Sequence, residues 1–166
     1  MTQTLRHSDS LAEAKVSFSN RIRALAAAHD ILTREHWGPV EFREILASAT
    51  APYGEPSQFA FGGPDVRLVP SVAVSIAMVL NELATNATKY GALSVETGSV
   101  TVSWKIVDNT GKRVLRVRWK ELGGPKVASP SKQGFGTRLI QSGLSGQAHL
   151  DYAEDGIACS IELYLQ

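Results

Sequence analysis

Apolar residues recur at helical spacing from Leu11 onward. Leu11, Ala14, Phe18, Ile22, Leu25, Ala26 and Ala28 predict a helix running to about Leu32. Ser10 is placed to cap it, with Glu13 three residues later as in a capping box. Phe42, Ile45, Leu46 and Ala49 predict a second, short helix after Gly38-Pro39, stopped by Pro52. Turn residues (Pro52, Gly54, Pro56, Gly62, Gly63, Pro64) then frame two short apolar runs, 58–61 and 66–68, read as short strands. The strongest helix begins at Pro70, a favoured first helical residue, and runs to about Tyr90. Val72, Ile76, Val79, Leu80, Leu83 and Ala87 form its apolar stripe, and Gly91 is the expected C-terminal stop.

Beyond Gly98 the period changes to two. Val100, Val102, Trp104 and Ile106 alternate with polar residues, Asp108-Asn109-Thr110-Gly111 turns the chain, and Leu115, Val117 and Trp119 alternate again. This predicts an antiparallel hairpin with one buried and one wet face. On the wet face Arg116, Arg118 and Lys120 are read as solvated cations rather than a nucleic-acid patch. A polar segment, 123–134, precedes a helix predicted near 135–143. The chain closes with Ala148, Leu150 and Tyr152, a Glu154-Asp155-Gly156 turn, and the alternating run Ile157, Cys159, Ile161, Leu163. The expected class is α+β: a mostly antiparallel sheet covered on one face by helices.

Composition narrows this only moderately. The 166 residues, 43% hydrophobic and 20% charged, suit one globular domain. Lys plus Arg number 17 against 16 Asp plus Glu, a net charge of +1 that argues against a nucleic-acid partner. The single cysteine excludes an internal disulfide framework. With no signal-peptide pattern and no apolar run approaching the ~18 residues of a membrane span, a cytoplasmic protein without membrane contact is expected.

Three features carry candidate chemistry. Glu82, Asn86 and Lys89 lie at offsets of four and three on the long helix, forming a polar stripe at the edge of its apolar face. A carboxamide oxygen suits Mg²⁺, an ammonium neutralises phosphate, and a carboxylate orients water or takes a proton. An ordinary solvated stripe has the same pattern. Gly134-Phe135-Gly136-Thr137 opens a helix, where backbone N–H groups can meet an anion, although a turn with a cap reads alike. Glu121-Leu122-Gly123-Gly124-Pro125 follows a strand; its carboxylate can accept from an exocyclic amine, or it is a surface acid before a turn.

The order of these three features resembles the ATP-binding domain of the histidine kinase, gyrase, Hsp90 and MutL superfamily. More closely, the chain resembles the HWE family of bacterial sensor histidine kinases. Asn81-Glu82-Leu83-Ala84-Thr85-Asn86-Ala87-Thr88-Lys89-Tyr90-Gly91-Ala92-Leu93 is similar to that family's N-box. Trp119-Lys120-Glu121 matches its W-x-E signature, and Gly134-Phe135-Gly136-Thr137-Arg138-Leu139-Ile140 its last glycine box. Arg23-Ala24-Leu25 and Ala28-His29-Asp30-Ile31-Leu32-Thr33 also resemble the family.

The resemblance implies a two-layer α/β sandwich of the Bergerat type, with a mixed, mostly antiparallel sheet. Residues 1–33 would be a remnant of the dimerisation and phosphoacceptor helical region, and 34–166 the ATP-binding catalytic domain. By position, Asn86 would coordinate Mg²⁺, Lys89 would meet phosphate and Glu82 would be the polar or basic N-box group. Tyr90 would line the nucleotide pocket, Glu121 would bond the adenine amine, and Gly123 would be the glycine of that motif. Gly134, Gly136 and Thr137 would cradle phosphates, with 124–133 as a short lid. The cofactors implied are ATP and Mg²⁺. The partners are a response-regulator receiver domain and a dimer mate bound through a helical hairpin missing from this chain.

Two departures stand out. Asn81 occupies the N-box position where the family expects histidine, and an amide does not titrate near neutral pH. The acceptor histidine is expected upstream of this segment, so no phosphoacceptor is assigned. His7 lacks the acceptor flanks, His29 is expected to make structural hydrogen bonds, and His36 and His149 lack partners at metal-ligand spacing. Cys159 is expected to be a buried, inert thiol. The reaction implied is transfer of the ATP γ-phosphoryl to histidine for relay to an aspartate, with the isolated chain binding ATP without autophosphorylating. The alternative is a non-catalytic phosphotransfer or scaffold protein of kinase-like fold; an ATPase or serine kinase is a third class.

Overall fold

The computed structural model describes residues 36–109, 111–126, 146–153 and 156–165. It also describes Ser19, Ile22, Leu25, Ala26, His29, Asp30 and Thr33 as helical positions upstream. The upstream positions lie where the first amphipathic repeat predicts a helix, and Ile22 and Leu25 are exposed on it. Thr33 Oγ1 donates to the His29 carbonyl at 2.9 Å, and the His29 ring meets Trp37 edge-on at 5.4 Å. The expected cap at Ser10 and the expected helix at 135–143 lie outside the described residues.

The chain then enters β1 (Val40–Glu41) and α1 (Phe42–Thr50). The first 3-10 turn (Pro56–Gln58) leads to β2 (Phe59–Gly62), followed by β3 (Arg67–Leu68). The long helix α2 spans Pro70–Tyr90, as the proline and the apolar stripe predict, and a second 3-10 turn covers Ala92–Ser94. The remaining strands are β4 (Ser99–Asn109), β5 (Lys112–Leu122), β6 (Gly146–Ala153) and β7 (Gly156–Tyr164).

Five strands form one sheet in the order β2-β4-β5-β7-β6. β2 runs parallel to β4; the other pairings are antiparallel, so the sheet is mixed as expected. β1 and β3 make a separate antiparallel pair, with Val40 opposite Leu68. Alternation did not reveal β1, because two residues are too few to display a period. Arg67 fastens that pair by donating through Nε and Nη2 to the Pro39 carbonyl at 3.2 and 2.8 Å.

The two helices cover one face of the sheet. From α2, Ile76, Leu80 and Leu83 meet Val102, Val117, Trp119 and Ile161 in a single core, joined from α1 by Phe42, Ile45 and Leu46. Trp104 ties α1 to the sheet: its ring packs edge-on against Phe42 at 5.1 Å, and its Nε1–H donates to the Pro64 carbonyl at 2.7 Å. The Arg43 guanidinium lies over the same ring at 4.9 Å. Such a contact contributes about 0.5–1 kcal/mol at an exposed site.

The opposite face is wet. Arg116 and Arg118 are exposed and Lys120 is half-buried, in keeping with the solvated face expected from the hairpin pattern. Arg116 Nε pairs with Glu162 Oε1 at 2.7 Å across β5 and β7. Cys159 is buried on the core face, and burial pushes its thiol up to about 12. Among the described residues no helix is long and apolar enough to cross a membrane. Leu80 is fully buried at the centre of the helix–sheet interface. Leu80→Ala is expected to cost about 2–5 kcal/mol in urea unfolding, with the midpoint lowered and the slope unchanged.

Candidate functional site

The C-terminal half of α2 divides its residues between core and rim. Leu83, Ala84 and Ala87 are buried, while Glu82 and Asn86 are half-buried and Lys89 is exposed. One edge therefore presents a carboxylate, a carboxamide and an ammonium in the order their spacing predicts. Asn81 is turned into the protein at 8% exposure, and Thr85 is buried beside it on the next turn. The Thr85 hydroxyl has no hydrogen-bond partner. Tyr90 closes the helix with 69% of its surface open to solvent.

Gly91 follows α2 as expected, but not as a left-handed cap: its φ is −112°. Its requirement for glycine comes from crowding. A Cβ there would fall on Glu121 Oε2 and press on the Ala87 backbone. The carboxylate of Glu121, at the end of β5, occupies the space that a side chain at 91 would need.

Glu121 is the one charged side chain that is buried among the described residues, at 1% exposure. Its Oε2 accepts from the Ala92 backbone N–H at 2.9 Å, and its Oε1 accepts from the Trp119 indole N–H at 3.2 Å. No cation pairs with it among the described residues. Burial raises its pKa above the ordinary glutamate value, and the hydrogen bonds from Ala92 and Trp119 only partly oppose that rise. The carboxylate also sits at the C-terminal end of α2, where the helix dipole disfavours negative charge.

The glycines after Glu121 serve the same junction. Gly123 has φ of +74°, a left-handed turn that favours glycine, and a Cβ on Gly124 would strike the Ala92 backbone. The exit of β5 thus lies directly against the start of the second 3-10 turn. That turn is held in place by Ser94 Oγ donating to the Gly91 carbonyl at 2.7 Å. Gln58 Nε2 anchors the following loop by donating to the Gly98 carbonyl at 3.2 Å.

The structure therefore sets Gly91 and Ala92 against Glu121 and Gly124 where α2 finishes and β5 exits, with Lys89 and Asn86 in the last turns of α2 and Glu82 a turn further back. Gly134, Gly136 and Thr137 lie outside the described residues. Two contributors went unassigned in the sequence: Trp119 as a donor to Glu121, and the Ala92 N–H. Period-two spacing on a strand puts Trp119 and Glu121 on the same face, so that contact had a legible signal. Nothing in the sequence signals the contact from Ala92.

Glu82 and Asn86 supply hard oxygen donors on one helix edge, a set that fits Mg²⁺. No group of three or more His, Cys, Asp or Glu gathers at metal-binding distance among the described residues. On the wet sheet face an open groove of about 520 Å³ lies between Lys105, Arg116, Arg118 and Glu162, away from this end of α2.

A mixed sheet with a long helix ending at a strand exit is the fold of histidine kinase catalytic domains. The histidine kinase domain of the blue-light activated kinase EL346 from Erythrobacter litoralis superposes with a TM-score of 0.63. The match covers 90% of this chain and 75% of that one at 18% identity. The histidine kinase ThkA, solved in complex with the response regulator protein TrrA, gives 0.52 over 96% of this chain and 53% of that one at 16% identity. In sequence, a blue-light-activated histidine kinase of Brucella anthropi is 40% identical over 165 residues. The HWE histidine kinase family matches residues 1–65. By these matches the chain is similar to HWE histidine kinases. The match spans 96% of this chain but only 34% of the Brucella relative.

Because the Glu121 pKa is raised on folding, the native state keeps this proton to higher pH than the unfolded chain does. Stability from this group is then greatest at low pH and declines as pH rises from the unfolded value, near 4.5, through the native one. Thermal melts of wild type and Glu121→Gln over that range check it. The wild-type Tm is expected to fall relative to that of the variant as pH rises, and a constant difference contradicts the assignment.

Proposed function

We propose that this chain is the ATP-binding catalytic portion of a sensor histidine kinase and donates the γ-phosphoryl of ATP to a histidine. The observation that carries the reading is the buried Glu121 packed against the end of α2, the helix whose C-terminal half bears Glu82, Asn86 and Lys89 along one edge. Glu121 is a desolvated carboxylate that meets no cation among the described residues, the kind of perturbed group that clusters at functional sites.

Each residue has a role in this reading. Glu121 accepts a hydrogen bond from the adenine amine, and Gly123 gives the chain its turn beside the base. Exposed Tyr90 covers one side of the nucleotide. Lys89 neutralises phosphate, and Asn86 with Glu82 faces the metal-bearing edge. The phosphate-cradling role that the resemblance gives to Gly134, Gly136 and Thr137 falls outside the described residues. Asn86 would hold Mg²⁺, which when bound would supply charge neutralisation for the phosphates. In the transfer a histidine nitrogen forms a bond to the γ-phosphorus as its bond to the ADP oxygen breaks. Positioning and electrostatics supply most of the catalysis such a reaction needs.

In this reading no residue of this chain is assigned as the acceptor histidine, which would sit on the dimerisation region to which 1–33 belongs by family resemblance. In the whole protein that region also pairs two subunits, and a response-regulator receiver domain takes the phosphoryl group onto aspartate. ThkA, of the same fold, was solved with its response regulator, which supports a partner of that kind.

Calorimetric titration with Mg-ATP tests the reading. The chain is expected to bind, and Asn86→Ala is expected to weaken binding at least about tenfold while leaving the melt unchanged. A folded chain that takes up no nucleotide at millimolar concentration contradicts the proposal and favours a phosphotransfer or scaffold role. Mixed with a longer chain that carries the acceptor helix, it is expected to produce acid-labile phosphohistidine. Labelling of His7 in the isolated chain contradicts the placement of the acceptor upstream.

A further inference from the structure

Trp119 is fully buried, and its indole N–H goes to a carboxylate two residues along the same strand rather than to a backbone carbonyl. The ring does what any large apolar side chain does in the core; the N–H does something a phenylalanine does not. It holds Glu121 Oε1 at 3.2 Å while the Ala92 N–H holds Oε2 at 2.9 Å. The carboxylate is thus fixed at both oxygens by neutral donors on different elements, one from β5 and one from the turn after α2. The missing Cβ of Gly91 leaves the space in which Oε2 sits.

A carboxylate oxygen has capacity for about two hydrogen bonds, so one donor at each leaves capacity for another. With its rotamer locked, the acid presents those remaining lone pairs in a fixed direction. An exocyclic amine meets them as a donor. An exocyclic carbonyl meets them as a second acceptor, and such a pair is repulsive and leaves buried polar groups unmatched.

We propose that Trp119 is a positioning residue that sets the base specificity of the nucleotide site, holding Glu121 so that it accepts a 6-amino purine and rejects a 6-oxo purine. This rests on the nucleotide-binding reading above. It gives the W-x-E signature a physical meaning: the indole and the carboxylate act as one unit, with the intervening Lys120 on the other face of the strand.

The test compares ATP with ITP, which differ at the 6-position of the base. Dissociation constants for both, with Mg²⁺, are measured on wild type and Trp119→Phe. Wild type is expected to favour ATP, and the ITP/ATP ratio is expected to fall about tenfold in the variant as the charge-assisted hydrogen bond loses its alignment. Binding of ITP itself is expected to stay nearly constant. A purely structural role for Trp119 weakens both nucleotides together and leaves the ratio unchanged, which overturns the proposal. A wild-type ratio near one overturns it too, since Glu121 then does not read the base. Failure of wild type to bind either nucleotide instead defeats the nucleotide-site reading on which the proposal rests.

Should Trp119→Phe fail to fold, the wild-type indole N–H resonance of Trp119 gives the answer by NMR. It is expected to shift on saturation with ATP and to shift less with ITP. Equal shifts, or none with either nucleotide, count against the assignment.

Discussion

The structure depends on the seating of one helix on one sheet. α2 buries Ile76, Leu80 and Leu83 against the inner face of β4, β5 and β7, and this interface unites residues from both halves of the chain. Once that face is committed, the remaining edge of the helix is the only part able to carry polar groups without desolvating them completely. Offsets of four and three keep Glu82, Asn86 and Lys89 along that edge. The site's first half is thus a by-product of helix packing, and its position in space is fixed as firmly as the core is.

The second half follows from where the helix stops. α2 ends against the exit of β5, and there the backbones of Gly91-Ala92 and Gly123-Gly124 lie too close for side chains to stand between them. Into that contact the fold places a carboxylate. Burial opposes its charge, and two neutral N–H donors, from Ala92 and Trp119, favour it. The raised pKa is the outcome of that contest, in which the loss of water outweighs the two hydrogen bonds.

Much of this was legible in the sequence. Pro70 and Tyr90-Gly91 marked the limits of α2 because proline and glycine act locally, and the hairpin was legible because each strand is long enough to show its period. The class of fold, the polar edge and the importance of Glu121 followed from residues near one another in the chain. What stayed hidden depends on contacts between distant segments. β1 gains its strand character from β3, and Gly91 is constrained by the distant Glu121 rather than by its own φ. Glu121 read as an open acceptor, whereas the Ala92 N–H, 29 residues away, already takes one of its oxygens. Local rules see turns and faces; they do not see which backbone arrives from elsewhere.

The parallel pairing of β2 with β4 bears on how the molecule comes to exist. Phe59 lies beside Val100, with the whole of α2 looped between them. A parallel pair of this kind has no tight turn to nucleate it, and closing the loop costs entropy before the pairing returns anything. The β4–β5 hairpin, by contrast, closes across a turn of a few residues and forms on the microsecond scale. Assembly should therefore begin at the hairpin and its contact with α2, with β2 docking last as the edge strand. During synthesis the segment that ends in β2 has no sheet to join, and it waits for the strands that carry the tryptophan and the glutamate.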